Sequence, residues 1–199
     1  MLYSGLLISS NLIPTLFSRD EIQAEEVGEL FAPFLGAPMA KAALETAILD
    51  AQLRSQNQSL ASYLGATKSK VECGVSVGIA PSIDQLLEEV GSYVDAGYRR
   101  IKLKIEPGWD IEPVRIVRQT WPTIPLQVDA NQAYGRADGD HLAQLDPFNL
   151  LLIEQPLDEH DILGHAGLAK KVQTPICLDE SIVSLRAADD ALALEATTV

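Results

Sequence analysis

Positive charge is scarce in this 199-residue chain: 15 lysine and arginine residues face 28 aspartate and glutamate residues, for a net charge of −13. Binding of nucleic acid needs a basic surface for the phosphates, so we expect no nucleic-acid partner. Long hydrophobic runs are also lacking, and no stretch of about 18 apolar residues is available to span a bilayer. Residues 1–10 are largely apolar but contain no basic residue. Neither a signal peptide nor a membrane partner is therefore predicted.

Cysteine is equally rare. Cys73 and Cys177 are the two cysteines of the chain, and each lies in a short apolar run. Isolated thiols of this kind favour buried, reduced cysteines in a cytoplasmic protein over a disulfide bond. The hydrophobic fraction of 47% is nonetheless enough to build a packed core.

The pattern along the chain changes near residue 70. Before it, apolar residues recur at helical spacing, with Ser18 and Glu21 as a predicted capping box and a second helix over 39–54. After it, short apolar runs alternate with amphipathic segments, as in βα units that form a parallel sheet. We therefore predict a helical domain over 1–70 and a β/α domain over 71–199. The predicted strands are 71–79, 100–105, 126–130, 150–154 and 175–179, each followed by a helix.

Four charged residues close the last four strands at equal intervals. Lys104, Asp129, Glu154 and Asp179 are each 25 residues after the one before. A repeat of about 25 residues is the length of one βα unit in a parallel barrel, whose chemistry lies at the carboxyl ends of the strands. The predicted fold class is thus α/β, a partial (β/α)8 barrel of TIM type with about five of eight strands. One lysine and three carboxylates should then converge on one mouth.

The lysines of the second strand are the candidate bases. Lys102 and Lys104 are two residues apart, so in a strand they point to the same face. Two ammonium groups close together disfavour each other's charge, which lowers a pKa and makes a better neutral base. The alternative is an edge strand whose lysines are solvated.

The acids are candidate metal ligands. Three carboxylates, those of Asp129, Glu154 and Asp179, would repel one another in one mouth unless a cation lay between them. An all-oxygen ligand set suits Mg²⁺ or Mn²⁺. The alternative is local, because an aspartate after a strand often caps the next helix. Capping explains Asp129 or Asp179 singly, but it explains neither Glu154, which Pro156 follows closely, nor the equal spacing.

Other polar residues are given secondary roles. Asn131 shares a face with Asp129 and could either bind a substrate carboxylate or order the residues around the metal ligands. Glu180 points away from Asp179 and is expected to support the site, paired with a lysine. The tryptophans are expected to be packing anchors. The histidines are expected to be solvated rather than ligands; they are His141, His160 and His165.

Five segments resemble the enolase superfamily, in its muconate-lactonising branch, and are similar to the o-succinylbenzoate synthase / N-acylamino acid racemase family. The resemblance extends from about residue 11 to residue 194. The segments are Cys73-Gly-Val-Ser-Val-Gly-Ile79, Arg100-Ile-Lys-Leu-Lys-Ile-Glu-Pro-Gly-Trp-Asp110, Gln127-Val-Asp-Ala-Asn131, Leu150-Leu-Leu-Ile-Glu-Gln-Pro-Leu157 and Thr174-Pro-Ile-Cys-Leu-Asp-Glu-Ser-Ile182.

This resemblance implies a role for each candidate residue. Lys104 would be the base on one face of a small-molecule carboxylate substrate, and Lys102 would hold substrate charge and tune Lys104. Asn131 and Ser76 would line the substrate pocket. A Lys or His base with Mg²⁺ stabilising an enediolate is the chemistry of enolase-superfamily sites. The metal ligands would be Asp129, Glu154 and Asp179. A homo-oligomer is expected of the full-length protein.

Three hypotheses follow for function. The first is a Mg²⁺-dependent dehydratase of the o-succinylbenzoate synthase type, which serves menaquinone biosynthesis. The second is an N-acylamino acid racemase of the same family. The third is a non-catalytic, truncated chain, because the resemblance places a required strand-six lysine shortly beyond Val199. It also implies that strands six to eight and the first part of a capping domain are missing.

Overall fold

The computed structural model describes residues 7–197. Contacts divide the chain into two compact units, Met1–Lys70 and Val71–Val199. The division falls where the sequence pattern changes. No helix of residues 7–197 is long and apolar enough to cross a membrane.

The first unit is helical. A π-helical turn, Ile8–Leu12, precedes four helices: α1 (Ile13–Phe17), α2 (Ala24–Phe31), α3 (Pro38–Ser55) and α4 (Leu60–Tyr63). Their buried apolar cluster contains Leu12, Val27, Phe31 and Ala40.

The capping box lies elsewhere than predicted. The Glu26 carboxylate accepts a hydrogen bond from Gln23 N at 2.9 Å at the start of α2. Ser18 instead follows the end of α1, where its hydroxyl donates to Thr15 O at 2.7 Å. The expectation for Ser18 and Glu21 was wrong because α1 ends at Phe17 and α2 begins only at Ala24, so Ser18 precedes no helix closely enough to cap it.

The second unit is a five-stranded parallel sheet in the order β1-β2-β3-β4-β5, which confirms the predicted α/β class. Each strand is followed by helical structure. The strands are β1 (Gly74–Val77), β2 (Arg100–Lys104), β3 (Leu126–Asp129), β4 (Ile153–Glu154) and β5 (Ile176–Cys177). The helices are α5 (Ile83–Asp95), α6 (Ile111–Thr120), α7 (Gly139–Leu142), α8 (Ile162–Ala169) and α9 (Leu185–Ala193).

Capping side chains mark the start of α5, α6, α8 and α9. Ser82, Asp110, Asp161 and Ser184 each accept a hydrogen bond from a backbone N–H of the first turn. The helix predicted over 138–145 is a short α7 flanked by 3₁₀ turns, Arg136–Asp138 and Ala143–Phe148. Pro147 lies inside the second turn and lacks the N–H that a continued helix needs.

One face of the sheet packs on the helices and forms the core. Ile101, Leu103, Val128 and Ile153 are buried there with apolar residues of α5, α6 and α8. Residues at alternate positions point to the opposite face, which therefore carries the polar side chains of the strands. Trp109 and Trp121 pack against this core, as expected of anchors. Cys73 is exposed and Cys177 half-buried, so the expectation of two buried thiols was wrong for Cys73, which precedes β1.

Arg118 of α6 joins the segments that lead into β3 and β4. Its guanidinium donates to five backbone carbonyls, those of Trp121, Pro122, Ile124, Phe148 and Asn149, at 2.7–3.4 Å. Burial lowers the pKa of this guanidinium from its ordinary value. Carbonyls at a chain turn need donors, and the planar fork of arginine supplies several at once.

We predict that Arg118→Met lowers the free energy of unfolding by about 1–3 kcal/mol, because partly buried carbonyls lose their donors. Denaturant titration measures the loss. Arg115→Met is the matched control on the same helix, since within residues 7–197 Arg115 pairs only with the exposed Glu112 and Gln119. Equal effects of the two variants would contradict the role of Arg118.

The three histidines differ, and the expectation that all are solvated was wrong for His165. His160 is exposed, but His141 contacts Asp110 Oδ2 through Nε2 at 2.7 Å. His165 is fully buried; Nδ1 lies 2.8 Å from Asp161 O, and Nε2 accepts from Leu157 N at 3.2 Å. Burial lowers the pKa of His165, although contacts with Asp161 oppose this. The ring therefore ties α8 to the chain after β4 in its neutral form.

We predict that protonation of His165 destabilises the fold. Its folded pKa is lower than its unfolded pKa of about 6.5, so the unfolded state binds more protons and stability falls as pH drops below that value. Between about pH 7 and pH 5, the free energy of unfolding should fall by about 1–2 kcal/mol less in His165→Gln than in wild type. Urea titrations at each pH measure the slope. His160→Gln should leave it unchanged, and an unchanged slope in His165→Gln would contradict the prediction.

Candidate active site

The register of the sheet brings the charged strand ends to one edge. Lys104 is paired with Asp129 and Asp129 with Glu154, while Glu154 lies beside Cys177 of β5. Cross-strand partners in a parallel sheet point to the same face, so these side chains project together from the polar face. The equal spacing of these residues in the sequence reflects this register.

The lysines lie directly on the acids. Lys102 Nζ is 2.8 Å from Glu154 Oε1 and 3.1 Å from Asp129 Oδ2, and Lys104 Nζ is 2.6 Å from the same Asp129 oxygen. The Asp129 side chain is only 2% exposed and that of Glu154 10% exposed. The arrangement is a compact cluster of two lysine amino groups and two carboxylate groups, hereafter the Lys–Asp–Glu cluster (Lys102, Lys104, Asp129, Glu154).

The charge state of Lys102 differs from the prediction. Burial by itself lowers the pKa of Lys102, but hydrogen bonds and charge from Glu154 and Asp129 outweigh it and raise the pKa above its ordinary value. The expectation that mutual repulsion of the lysines lowers a pKa was therefore wrong for Lys102, because carboxylates lie between the ammonium groups. Burial likewise raises the pKa of Asp129, yet hydrogen bonds from Lys104 and Lys102 bring it below its ordinary value.

Asn131 links Lys104 to Glu180. Its Oδ1 accepts a hydrogen bond from Lys104 Nζ, its backbone N–H donates to Asp129 Oδ1 at 3.1 Å, and its Nδ2 donates to Glu180 Oε1 at 3.1 Å. Glu180 was expected to pair with a lysine, but its partner is this amide. The expectation was wrong because Asn131 lies between Glu180 and Lys104. The other Glu180 oxygen, Oε2, is buried without a hydrogen-bond partner among residues 7–197.

Asp179 lies after β5 and is exposed. Its charge acts on the nearby Cys177 thiol, whose pKa burial raises and the charges of Glu154, Asp179 and Asp129 raise further. Within the described part of the chain, no three histidine, cysteine, aspartate or glutamate side chains are gathered closely enough to hold a metal ion. The donor set is still chemically suited to Mg²⁺, since it consists of carboxylate oxygens at neighbouring strand ends. Ligation by Asp129, Glu154 and Asp179 thus stays a prediction.

Ser76 is the remaining residue that was predicted to line the substrate pocket. It is paired with Lys102 across β1 and β2, and Gln127 of β3 follows in the same row. These residues line a cavity of about 390 Å³ together with Glu154 and Cys177. Gln127 Nε2 lies 3.4 Å from Glu154 Oε2.

Two sets of residues at this edge were missed by reasoning from sequence. Tyr134 donates to Asp110 Oδ2 at 2.9 Å beside His141, and thereby joins the loops after β2 and β3. Gln155 is fully buried between the loops after β4 and β5. Its place directly after Glu154 was the available signal, but nothing in the residue type indicates where its amide points.

Comparison with known proteins identifies the family. Residues 85–199 match the family model described as "Enolase C-terminal domain-like", and the chain belongs to this family, as the sequence predicted. The fold is accordingly part of an enolase-type (β/α)8 barrel.

Two curated relatives are similar along most of the chain. One is an N-succinylamino acid racemase from Amycolatopsis sp, 59% identical over 94% of this chain and 51% of its own length. Another is an o-succinylbenzoate synthase from Enterococcus faecalis V583, 46% identical over 94% of this chain and 51% of its own length. The chain therefore spans about half the length of these relatives.

Solved structures of the enolase superfamily are also similar to this chain. A member of the enolase superfamily from Enterococcus faecalis V583 is 44% identical, with a TM-score of 0.88 over 99% of this chain and 53% of that chain. An L-talarate dehydratase from Polaromonas sp. JS666, solved with Mg and L-glucarate, is 28% identical, with a TM-score of 0.78 over 94% of this chain and 57% of that chain.

We predict that Lys102→Met lowers the free energy of unfolding by about 1–3 kcal/mol, because it removes the cation between two poorly exposed carboxylates. Denaturant titration without divalent ions measures the loss. Lys171→Met is the control, since Lys171 pairs with the exposed Asp140 at the surface. A Lys102→Met protein as stable as wild type would contradict the bridging role.

Proposed function

We propose that this chain forms the proton-abstracting half of a Mg²⁺-dependent dehydratase of the o-succinylbenzoate synthase type. The observation that carries the proposal is the Lys–Asp–Glu cluster at the carboxyl edge of three neighbouring strands, in a member of the enolase family. Similarity to the Enterococcus o-succinylbenzoate synthase supplies the reaction class.

The metal ligands in this proposal are Asp129, Glu154 and Asp179. Mg²⁺ rather than a softer ion fits three carboxylates, and Mn²⁺ is the alternative. The Mg in the similar L-talarate dehydratase supports this choice. When bound, the ion would stabilise the second negative charge that develops on a substrate carboxylate after loss of its α-proton.

The two lysines have different tasks. Lys104 Nζ, in its neutral form, removes the hydrogen on the carbon next to the substrate carboxylate; the C–H bond breaks, an N–H bond forms, and the electron pair passes into an enediolate. In the dehydration that follows, the enediolate expels the β-hydroxyl group as its C–O bond breaks; the hydroxyl takes the proton that Lys104 Nζ had gained and leaves as water, which returns Lys104 to its neutral form. Lys102 stays charged, because its pKa is raised by Glu154 and Asp129 after the opposing effect of burial. A permanent ammonium suits the binding of substrate charge better than proton abstraction.

A racemase of N-acylamino acids is the second candidate. It is favoured by the 59% identity to the Amycolatopsis N-succinylamino acid racemase. Both reactions begin with abstraction of an α-proton, so the Lys–Asp–Glu cluster supports either one. They differ in the fate of the enediolate, which expels a hydroxyl group in one case and regains a proton in the other.

The test uses a hybrid, because the chain matches half of each relative. In this hybrid the chain replaces the matched segment of the Enterococcus o-succinylbenzoate synthase. We expect Mg²⁺-dependent formation of o-succinylbenzoate, and racemisation of N-succinylamino acids is assayed in parallel by optical rotation. Racemisation alone would replace the first proposal by the second. The 199-residue chain by itself tests the non-catalytic alternative, which predicts no turnover of either substrate.

We predict that Lys104→Ala in the hybrid lowers turnover by about 10²- to 10⁴-fold, since the general base is lost. Exchange of the substrate α-hydrogen in D₂O, followed by NMR, should fall in step, while Mg²⁺ affinity is retained. Lys170→Ala is the control, because Lys170 is an exposed lysine at the end of α8. Undiminished exchange in Lys104→Ala would refute the assignment of the base.

A further inference from the structure

Gln155 uses every polar atom of its side chain. Its Nε2 donates to Ser181 Oγ at 2.7 Å and to Leu157 O at 3.2 Å. Its Oε1 accepts from the backbone N–H groups of Asp179 at 2.9 Å and Ser181 at 3.2 Å. The residue is fully buried, so each of these bonds forms away from competing water.

The backbone of Gln155 joins the same loops. Its N–H donates to Cys177 O at 2.8 Å, and its carbonyl accepts from Gln132 N at 2.8 Å. Gln155 thus connects the chain after β3, through Gln132, with β5 and the loop that follows it, through Cys177 and Asp179. These are the segments that carry Asn131, Asp179 and Glu180.

The backbone conformation of Gln155 indicates that its side-chain hydrogen bonds are needed to keep the backbone in this conformation. Its φ is 38°, in the left-handed region that glycine adopts without steric cost. A residue with a Cβ at such a position persists where its surroundings compensate for the strain, and such positions cluster at functional sites. The four side-chain hydrogen bonds provide that compensation.

Asp179 depends on this contact. Its carboxylate makes no hydrogen bond or ion pair with any residue in 7–197, and its hydrogen bonds within this range are made by its backbone. One is the bond from its N–H to Gln155 Oε1, and the other is the bond that Asp179 O accepts from Ile182 N at 2.9 Å. The former ties Asp179 to β4, the strand that carries Glu154.

We propose that Gln155 is a positioning residue that holds the Asp179 backbone against the chain after β4, the strand that carries Glu154. The inference rests on the proposed function only in taking Asp179 as a magnesium ligand. The amide acts through the backbone, since it contacts the Asp179 N–H and not the carboxylate. Removal of the amide should free the loop after β5 while the rest of the sheet stays formed.

The test compares Gln155→Met with Gln127→Met. Both glutamines are buried, but the Gln127 amide makes a single contact of 3.4 Å and its Oε1 has no partner in the described chain. In Gln155→Met we expect hydrogen exchange of the Asp179 and Ser181 amides to be at least about tenfold faster, the change for one lost net hydrogen bond. In Gln127→Met these amides should exchange as in wild type.

A second variant separates the amide from the backbone strain. Gln155→Gly relieves the positive φ but also removes the amide, so we expect faster exchange at Asp179 and Ser181 here too. Exchange at Ile101 and Leu103 in β2 reports global opening and should not accelerate in proportion. Unchanged exchange at Asp179 and Ser181, or an equal acceleration in β2, would overturn the inference.

Mg²⁺ titration distinguishes this inference from the proposed function. If wild type binds Mg²⁺, both Gln155 variants should bind it at least about tenfold more weakly, since one ligand is no longer fixed. Equal affinity in wild type and variants would overturn the positioning role. If wild type binds no Mg²⁺, the proposed function fails on its metal, whereas the exchange results still decide whether Gln155 holds the loop.

Discussion

The contact of Lys102 with both Asp129 and Glu154 is the interaction on which the candidate site depends. Carboxylates as poorly exposed as these two are costly to keep ionised without a nearby positive charge. Lys102 supplies that charge at 2.8 Å and 3.1 Å, and Lys104 adds a second contact at 2.6 Å. The cluster is therefore balanced by groups of its own chain. The same balance explains why the pKa of Lys102 is raised although burial opposes it.

Much of the β/α unit could be predicted from sequence, because the pattern that predicts it is local. Alternation of apolar and charged residues in 100–104 sets the two faces of β2, and Ser82, Asp161 and Ser184 cap helices where turn residues meet apolar periodicity. Strands β4 and β5 were predicted too long. The carboxyl end of β4 at Glu154 was predicted correctly, but the strand begins at Ile153 rather than at residue 150. Strand β5 covers Ile176–Cys177 rather than 175–179, and it ends before the loop in which Gln155 binds the Asp179 N–H.

The candidate site was predictable in composition but not in contacts. Equal spacing predicted that Lys104, Asp129 and Glu154 are cross-strand neighbours, because register in a parallel sheet follows repeat length. It did not place Asp179, since Glu154 is paired with Cys177 of β5, two residues earlier. It could not give the partner of Glu180, which depends on the left-handed conformation of Asn131, with φ at 40°. Nor could it place His165, which is buried because its ring pairs with two backbone groups that meet only in the folded chain.

The loops at the two edges of the sheet are held in different ways. At the amino edge, Arg118 and Asp146 satisfy the backbone leading into β3, β4 and β5, and Asp146 accepts three hydrogen bonds from Gln173 and Thr174. At the carboxyl edge, Asn131, Gln132 and Gln155 have positive φ, and Glu180 Oε2 is buried without a partner in the described chain. Satisfied groups give rigidity, whereas strained backbone and unpaired acceptors are tolerated where a site must be shaped. In this family such a division lets loops at one edge change their chemistry while the other edge keeps the strands in register.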